Sequence, residues 1–181
     1  MGLFYTGKGD NGESVVGQKR IDKTCVEVEA LGDTDELNSL IGIVKNTVAS
    51  DEFKGILSDA QEALFIAQAN LAEFMTDYKF KAPELKAERI KKLEDLINSF
   101  ESEVNPGKGF IISGSNPVSA WLDYARAVAR RAERSAIKFS KGRKLAPEII
   151  SYLNRLSSLL FAMARVEAKR GGAKEANPQY K

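Results

Sequence analysis

Three arginines, Arg126, Arg130 and Arg134, recur at i, i+4 and i+8 within PVSAWLDYARAVARRAERSAIK. At about 100° per residue this spacing sets them in one stripe along a helix, roughly 6 Å apart. Guanidinium forks match phosphate oxygens two at a time and stay charged, so the row suits a polyanion such as a nucleoside triphosphate. A solvated basic face, or a ladder of salt bridges to another helix, is the other reading. One helix does not choose between them. Asp123 and Glu133 fall near the stripe, whereas Arg131 points away from it. The other side carries Trp121, Ala125, Val128, Ala129 and Ala132, and its alanines let neighbouring helices approach closely.

A second candidate is the stretch YTGKGDNGES at residues 5–14. Gly7 and Gly12 are separated by four residues, as in a Walker A loop. Where that loop needs lysine this chain has Glu13, whose carboxylate would repel a β- or γ-phosphate. Only Met1 to Phe4 precede it, too few for the apolar strand that leads into such a loop. It is either a nucleotide loop of another kind or a flexible amino terminus.

Composition narrows the chemistry further. The chain has no histidine, which removes Ser-His-Asp and Cys-His catalysis and imidazole metal sites. Its single cysteine, Cys25, excludes an internal disulfide and any multi-cysteine metal site. What remains is carboxylates, Lys, Arg, hydroxyls, or a bound cofactor with its own reactivity. The net charge of +2 gives no bulk reason to expect nucleic acid or membrane as a partner. No apolar run approaches ~18 residues and no signal peptide is evident, so a cytoplasmic location is expected. A length of 181 residues suits one domain with a proper core.

The elements that must position these residues read as helices. Residues 1–32 form an irregular Gly-rich arm, with one short extended segment over Cys25–Ala30. From Asp33 the period becomes helical: Asp33-Thr34-Asp35-Glu36 has the form of a capping box, followed by Leu37, Leu40, Ile41, Val44 and Val48. Further helices are predicted over about 51–77, 83–103, 117–139 and from Pro147 to Gly171-Gly172, with a polar tail over 171–181. The expected fold is all-α: an up-and-down five-helix bundle over 33–170 behind the arm, in a single domain. Asn154 is either a buried amide satisfied by its neighbours or one facing a ligand cavity. Asp35 is either a first-turn dipole partner or a partner for one of the arginines. Trp121 and the methionines are assigned to the core, and Cys25 is read as a small apolar residue.

Taken together, four segments resemble one family. YTGKGDNGES with Gln18-Lys19-Arg20-Ile21-Asp22-Lys23, then GDTDELNSLIG, then ARAVARRAER, then NRLS occur in the order and spacing of the PduO-type ATP:cob(I)alamin adenosyltransferases. The resemblance spans residues 3–165, and DELNS at 35–39 with RxxxRRAER at 126–134 makes it specific. It implies a homotrimer of five-helix bundles, with the active site between adjacent subunits and the glycine loop folded over ATP. It further implies that Thr6, Gly7, Gly9, Ser14 and Lys23 contact ATP from one subunit, and Arg130, Glu133 and Arg134 from its neighbour. Arg126 would pair with Asp35 across the boundary, these two joining Arg130 as the catalytic group. Phe110 would lie beneath the corrin and exclude the lower axial ligand, with Asn154 lining the same pocket. ATP and cobalamin are the implied substrates and Mg²⁺ the implied metal, with no ligand set assigned to it. A cobalamin reductase and an adenosylcobalamin-dependent enzyme are the implied protein partners.

The chain departs from the family pattern at three places. Ser113-Gly114-Ser115 replaces Pro-Gly-Gly, Asp123 stands where a histidine is common, and Ser158 replaces the acid of NRLSD. These departures bear on corrin affinity more than on reaction type. An ATP-binding helical trimer with a regulatory or structural role, and no corrinoid chemistry, is the competing expectation. A nucleic-acid-binding bundle is disfavoured by the near-neutral charge and the single narrow stripe.

Overall fold

The computed structural model describes residues 5, 7–16, 19–76, 80–107 and 109–180. Thr6 lies outside the described residues.

The arm contains more regular structure than its glycines suggest. Strands β1 (Glu13–Val16) and β2 (Lys19–Asp22) pair antiparallel, with Glu13 opposite Asp22 and Val16 opposite Lys19. Asp22 ends the hairpin by accepting from the backbone N–H and hydroxyl of Thr24, both at 2.7 Å, and these bonds hold its carboxyl below the usual range.

Helix α1 (Val26–Thr47) then begins at once. The expected start at Asp33 is therefore wrong by seven residues, and of the expected extended segment Cys25–Ala30 only Cys25, the N-cap, is extended; Val26–Ala30 is helical. The alternation Val26-Glu27-Val28-Glu29 imitates a strand. The residues that face inward, Ala30, Thr34, Leu37, Ile41 and Val44, continue at helical spacing. Glu27 and Glu29 sit in the first turn, where the helix dipole favours carboxylates. Asp33 caps nothing; it receives Ser135 and Arg131 from another helix.

Four more helices follow: α2 (Asp51–Glu73), α3 (Ala87–Val104), α4 (Pro117–Ser140) and α5 (Pro147–Arg170). Among the described residues the polypeptide is thus a five-helix structure, as expected, with small shifts at the ends of α2 and α3. The starts of α2 and α4 are set by side chains: Ser50 accepts from Phe53 N–H, and Asn116 forms a reciprocal capping box with Ser119 before Pro117. In space the extensive contacts run α2–α1–α4–α5–α3. Helix α3 packs chiefly on α5 and meets α2 through the Phe53–Phe100 ring pair and the Lys92–Asp59 ion pair, so the order in space is not the order in sequence.

The close packing of α4 against α1 and α5 follows from its small buried residues, Ala125, Ala129, Ala132 and Ala136. Across the end of the bundle, Arg170 holds both oxygens of Glu103 at 2.8 Å and Glu52 at 2.9 Å, with its guanidinium over the Phe53 ring. This ties α5 to α3 and α2. Trp121 is a correction: it is exposed beside Tyr124 and does not serve the core, unlike Met75 and Met163, which are buried.

Candidate functional site

The glycine loop is organised by backbone geometry and by Lys23, which directly follows β2. Gly7 and Gly12 have φ of +65° and +86°, a region that glycine enters without a Cβ penalty. A Cβ on Gly9 would sit 3.0 Å from both the Glu13 carbonyl oxygen and Lys23 Nζ. Lys23 Nζ donates to the Gly9 carbonyl at 2.7 Å, and Lys23 N–H donates to the Gly12 carbonyl at 2.9 Å. A cation from beyond the hairpin thus lies against the loop. Arg20 pairs with the Glu13 carboxylate at 2.9 Å and offsets its charge beside the loop. Ser14 lies on β1 and is half-buried.

The arginines of α4 divide into two sets. Arg131 turns to α1 and pairs with Asp33 and Glu36, so it leaves the stripe. Arg130 and Arg134 are exposed and have no ion-pair partner among the described residues. Arg126 is half-buried, its guanidinium 5.8 Å from the Phe161 ring centroid, and its Nε has no hydrogen-bond partner. Asp35 is exposed on α1 and accepts from Gln68 at 3.2 Å; within this chain it makes no bond to Arg126. Glu133 accepts from Asn154 Nδ2 at 2.8 Å, and Asn154 Oδ1 accepts from Arg155. Asn154 is therefore a satisfied amide joining α4 to α5.

Between α3, α5 and the loop before α4 lies a cavity of about 510 Å³. Ile97, Phe100, Val104, Phe110 and Phe161 give it apolar walls; Arg126 and Arg130 stand at its cationic side. Ser157 and Ser158 also line it, whereas Asn154 is not among its lining residues. Phe110 is 77% exposed, so its ring faces open space with little packing of its own. The cavity brings Phe110, Arg126 and Arg130 together.

Residue types and spacing give no sign of an ion pair at this cavity, whose lining includes Arg165. Asp123, assigned to the neighbourhood of the arginine stripe, is buried and receives Arg165 Nη2 of α5 at 2.6 Å. Both side chains are 3% exposed. Gly114 N–H also donates to Asp123, at 3.1 Å. The Arg165 guanidinium stacks on Phe161 at 4.9 Å. No local pattern marks Arg165, because its partner is 42 residues away. Among the described residues no three His, Cys, Asp or Glu side chains cluster as metal ligands would. No described helix is long and apolar enough to cross a membrane.

Residues 4–167 match the family model described as cobalamin adenosyltransferase. The chain is 38% identical to a corrinoid adenosyltransferase of Citrobacter freundii, covering 92% of this chain and 96% of that protein. It is 33% identical to a corrinoid adenosyltransferase of Bacillus subtilis, covering 93% of this chain and 88% of the other. Among solved structures it superposes on a variant PduO-type ATP:corrinoid adenosyltransferase from Lactobacillus reuteri complexed with cobalamin and ATP. The TM-score is 0.91 and the identity 27%, over 98% of this chain and 97% of that one.

Proposed function

The chain belongs to the cobalamin adenosyltransferase family, and from that premise we propose how its own residues serve the reaction. The chain transfers the 5′-deoxyadenosyl group of ATP to the Co(I) of a reduced corrinoid. The Co(I) electron pair forms the bond to C5′, the C5′–O bond breaks, and its electrons leave on triphosphate. Co(I) is itself a strong nucleophile, so no protein base is needed and the absence of histidine is no obstacle. The protein must orient ATP and balance the charge that develops on the triphosphate.

The observation that carries this reading is the two-sided cavity: apolar at Phe110 and Phe161, cationic at Arg126 and Arg130. A flat, largely apolar macrocycle fits the first side and a polyphosphate the second. Phe110, exposed at the mouth, would lie under the corrin and keep a lower axial ligand away. Asn154, bonded to Glu133, would act at the edge of this pocket by fixing that carboxylate. The loop with Thr6, Gly7, Gly9, Ser14 and Lys23 would wrap the ATP phosphates from one subunit, while Arg130, Glu133 and Arg134 face them from the next. Mg²⁺ would arrive with the nucleotide and help offset the charge that develops on its phosphates.

A homotrimer with sites between subunits accounts for groups left open in one chain. The buried Nε of Arg126 would meet Asp35 of a neighbouring copy. Exposed Ile43 and Phe65 would be covered in the assembly. The whole chain, 1–181, would act as one unit in the cytoplasm, receiving reduced corrinoid from a reductase and passing product to an adenosylcobalamin-dependent enzyme.

The test is to mix the protein with ATP, Mg²⁺ and chemically reduced cobalamin, following loss of cob(I)alamin absorbance together with triphosphate release. Stoichiometric formation of a light-sensitive adenosylcobalamin supports the reading. ATP binding without conversion overturns it and leaves a nucleotide-binding protein without corrinoid chemistry. Light scattering at the same concentration reports the trimer.

A further inference from the structure

Phe110 poses a mechanical problem. A ring that is 77% exposed is not held by its own burial, yet a residue that displaces an axial ligand must stay in place. The neighbouring backbone shows what holds it. The Phe110 carbonyl accepts from Asn177 Nδ2 at 2.8 Å. Ile112 N–H donates to the Ala176 carbonyl at 2.8 Å. Gly114 N–H donates to Asp123, which is itself fixed by Arg165. Arg165 Nε in turn lies 3.1 Å from Glu175 Oε1, an ion-pair contact without hydrogen-bond alignment.

The tail reaches these positions because α5 ends in a tight reversal. Gly172 has φ +67°, and Ala173 N–H returns to the Ala168 carbonyl at 2.8 Å. The chain is thereby directed to the loop before α4. Residues 175–177 and the Asp123–Arg165 pair then take three backbone groups of 110–114 between them.

We propose that the carboxy-terminal segment 173–177 is a strap that positions Phe110, with Asn177 as the positioning residue acting through the Phe110 carbonyl. This rests on the role given to Phe110 above. The polar tail is then part of the corrin site. The strap acts on one half of the reaction only. It matters when a Co(II) corrinoid must lose its lower ligand before reduction, and not when Co(I) is supplied ready-made.

The test uses the full chain with Asn177→Asp, which keeps the shape but removes the donor, and Asn177→Ala as a second variant. Hydrogen exchange of the peptide spanning 110–114 is measured first, without any ligand. Loss of the anchor should speed exchange there roughly two- to tenfold, as expected for one net hydrogen bond. Turnover is then compared from cob(II)alamin plus reductant and from preformed cob(I)alamin, with Phe110→Ala as the reference. The expected result is a loss on the order of tenfold or more by the first route. The second route and the KM for ATP should be unchanged. Unchanged exchange in both variants overturns the strap whatever the activity. Faster exchange with equal losses by both routes overturns the positioning role. Should the unaltered protein fail to adenosylate at all, the functional reading falls, and the exchange experiment still decides whether the strap holds the loop.

Discussion

The arginines of α4 and those of α5 make opposite uses of the same side chain. On α5, Arg155 pairs with Glu94, Arg165 with Asp123, and Arg170 with Glu52 and Glu103. Each joins α5 to another helix, and Arg165 does so in the buried interior. On α4, Arg130 and Arg134 meet no carboxylate among the described residues, and Arg126 meets only a ring. A guanidinium that builds the fold is neutralised by its own chain, as Arg131 of α4 also is. One left unpaired is open to a polyanion, the role proposed above for Arg130 and Arg134.

This contrast is broken most forcefully at Arg165. Arg165→Ala strands a buried carboxylate at Asp123 and should cost about 3–5 kcal/mol in urea unfolding. Replacing both partners by alanine should cost less than the sum of the single changes; full additivity would mean that the pair is not coupled. Arg130→Ala should do the reverse. Its melting temperature should stay close to that of the parent while adenosyl transfer falls on the order of 10²–10³-fold, the usual loss for a group facing developing charge. Retained turnover would sink the triphosphate assignment.

Gly9→Ala addresses the other end of the site. Its Cβ would press on the Glu13 carbonyl and on Lys23 Nζ at 3.0 Å, so these neighbours must give by a few tenths of an ångström and the Lys23–Gly9 bond is disturbed. The KM for ATP should rise on the order of tenfold, a cost of about 1.4 kcal/mol, with the bundle unaffected. An unchanged KM would show that the loop does not hold nucleotide in this arrangement. The smallest effect is expected at Arg155→Ala, whose pair with Glu94 is about two-fifths exposed on both sides. Screened by solvent, it should contribute about 0–1 kcal/mol, and a larger value in chemical unfolding would blur the distinction between the two helices.

Much of the fold was legible in the residues because burial leaves a period. Leu37, Leu40, Ile41, Val44 and Val48 are all buried, as their spacing requires, and Asn116-Pro117 marks the start of α4 by local chemistry alone. The amino-terminal helix boundary was misread for an equally local reason. Val26-Glu27-Val28-Glu29 fits a period of two over four residues, and only the continuation to Ala30 and Thr34 shows the helical register.

By itself, the sequence determined the helix count, the arginine stripe, the histidine-free chemistry and the motif order that marks the family. These depend on residue type and on spacing within one element. Tertiary structure alone decided that Lys23 returns to Gly9, that Asp123 is buried against Arg165, and that Asn177 reaches Phe110. The last two contacts join residues 42 and 67 positions apart. Hydrogen bonds and ion pairs act over a few ångströms of space, whatever the distance along the chain, so no periodicity records them.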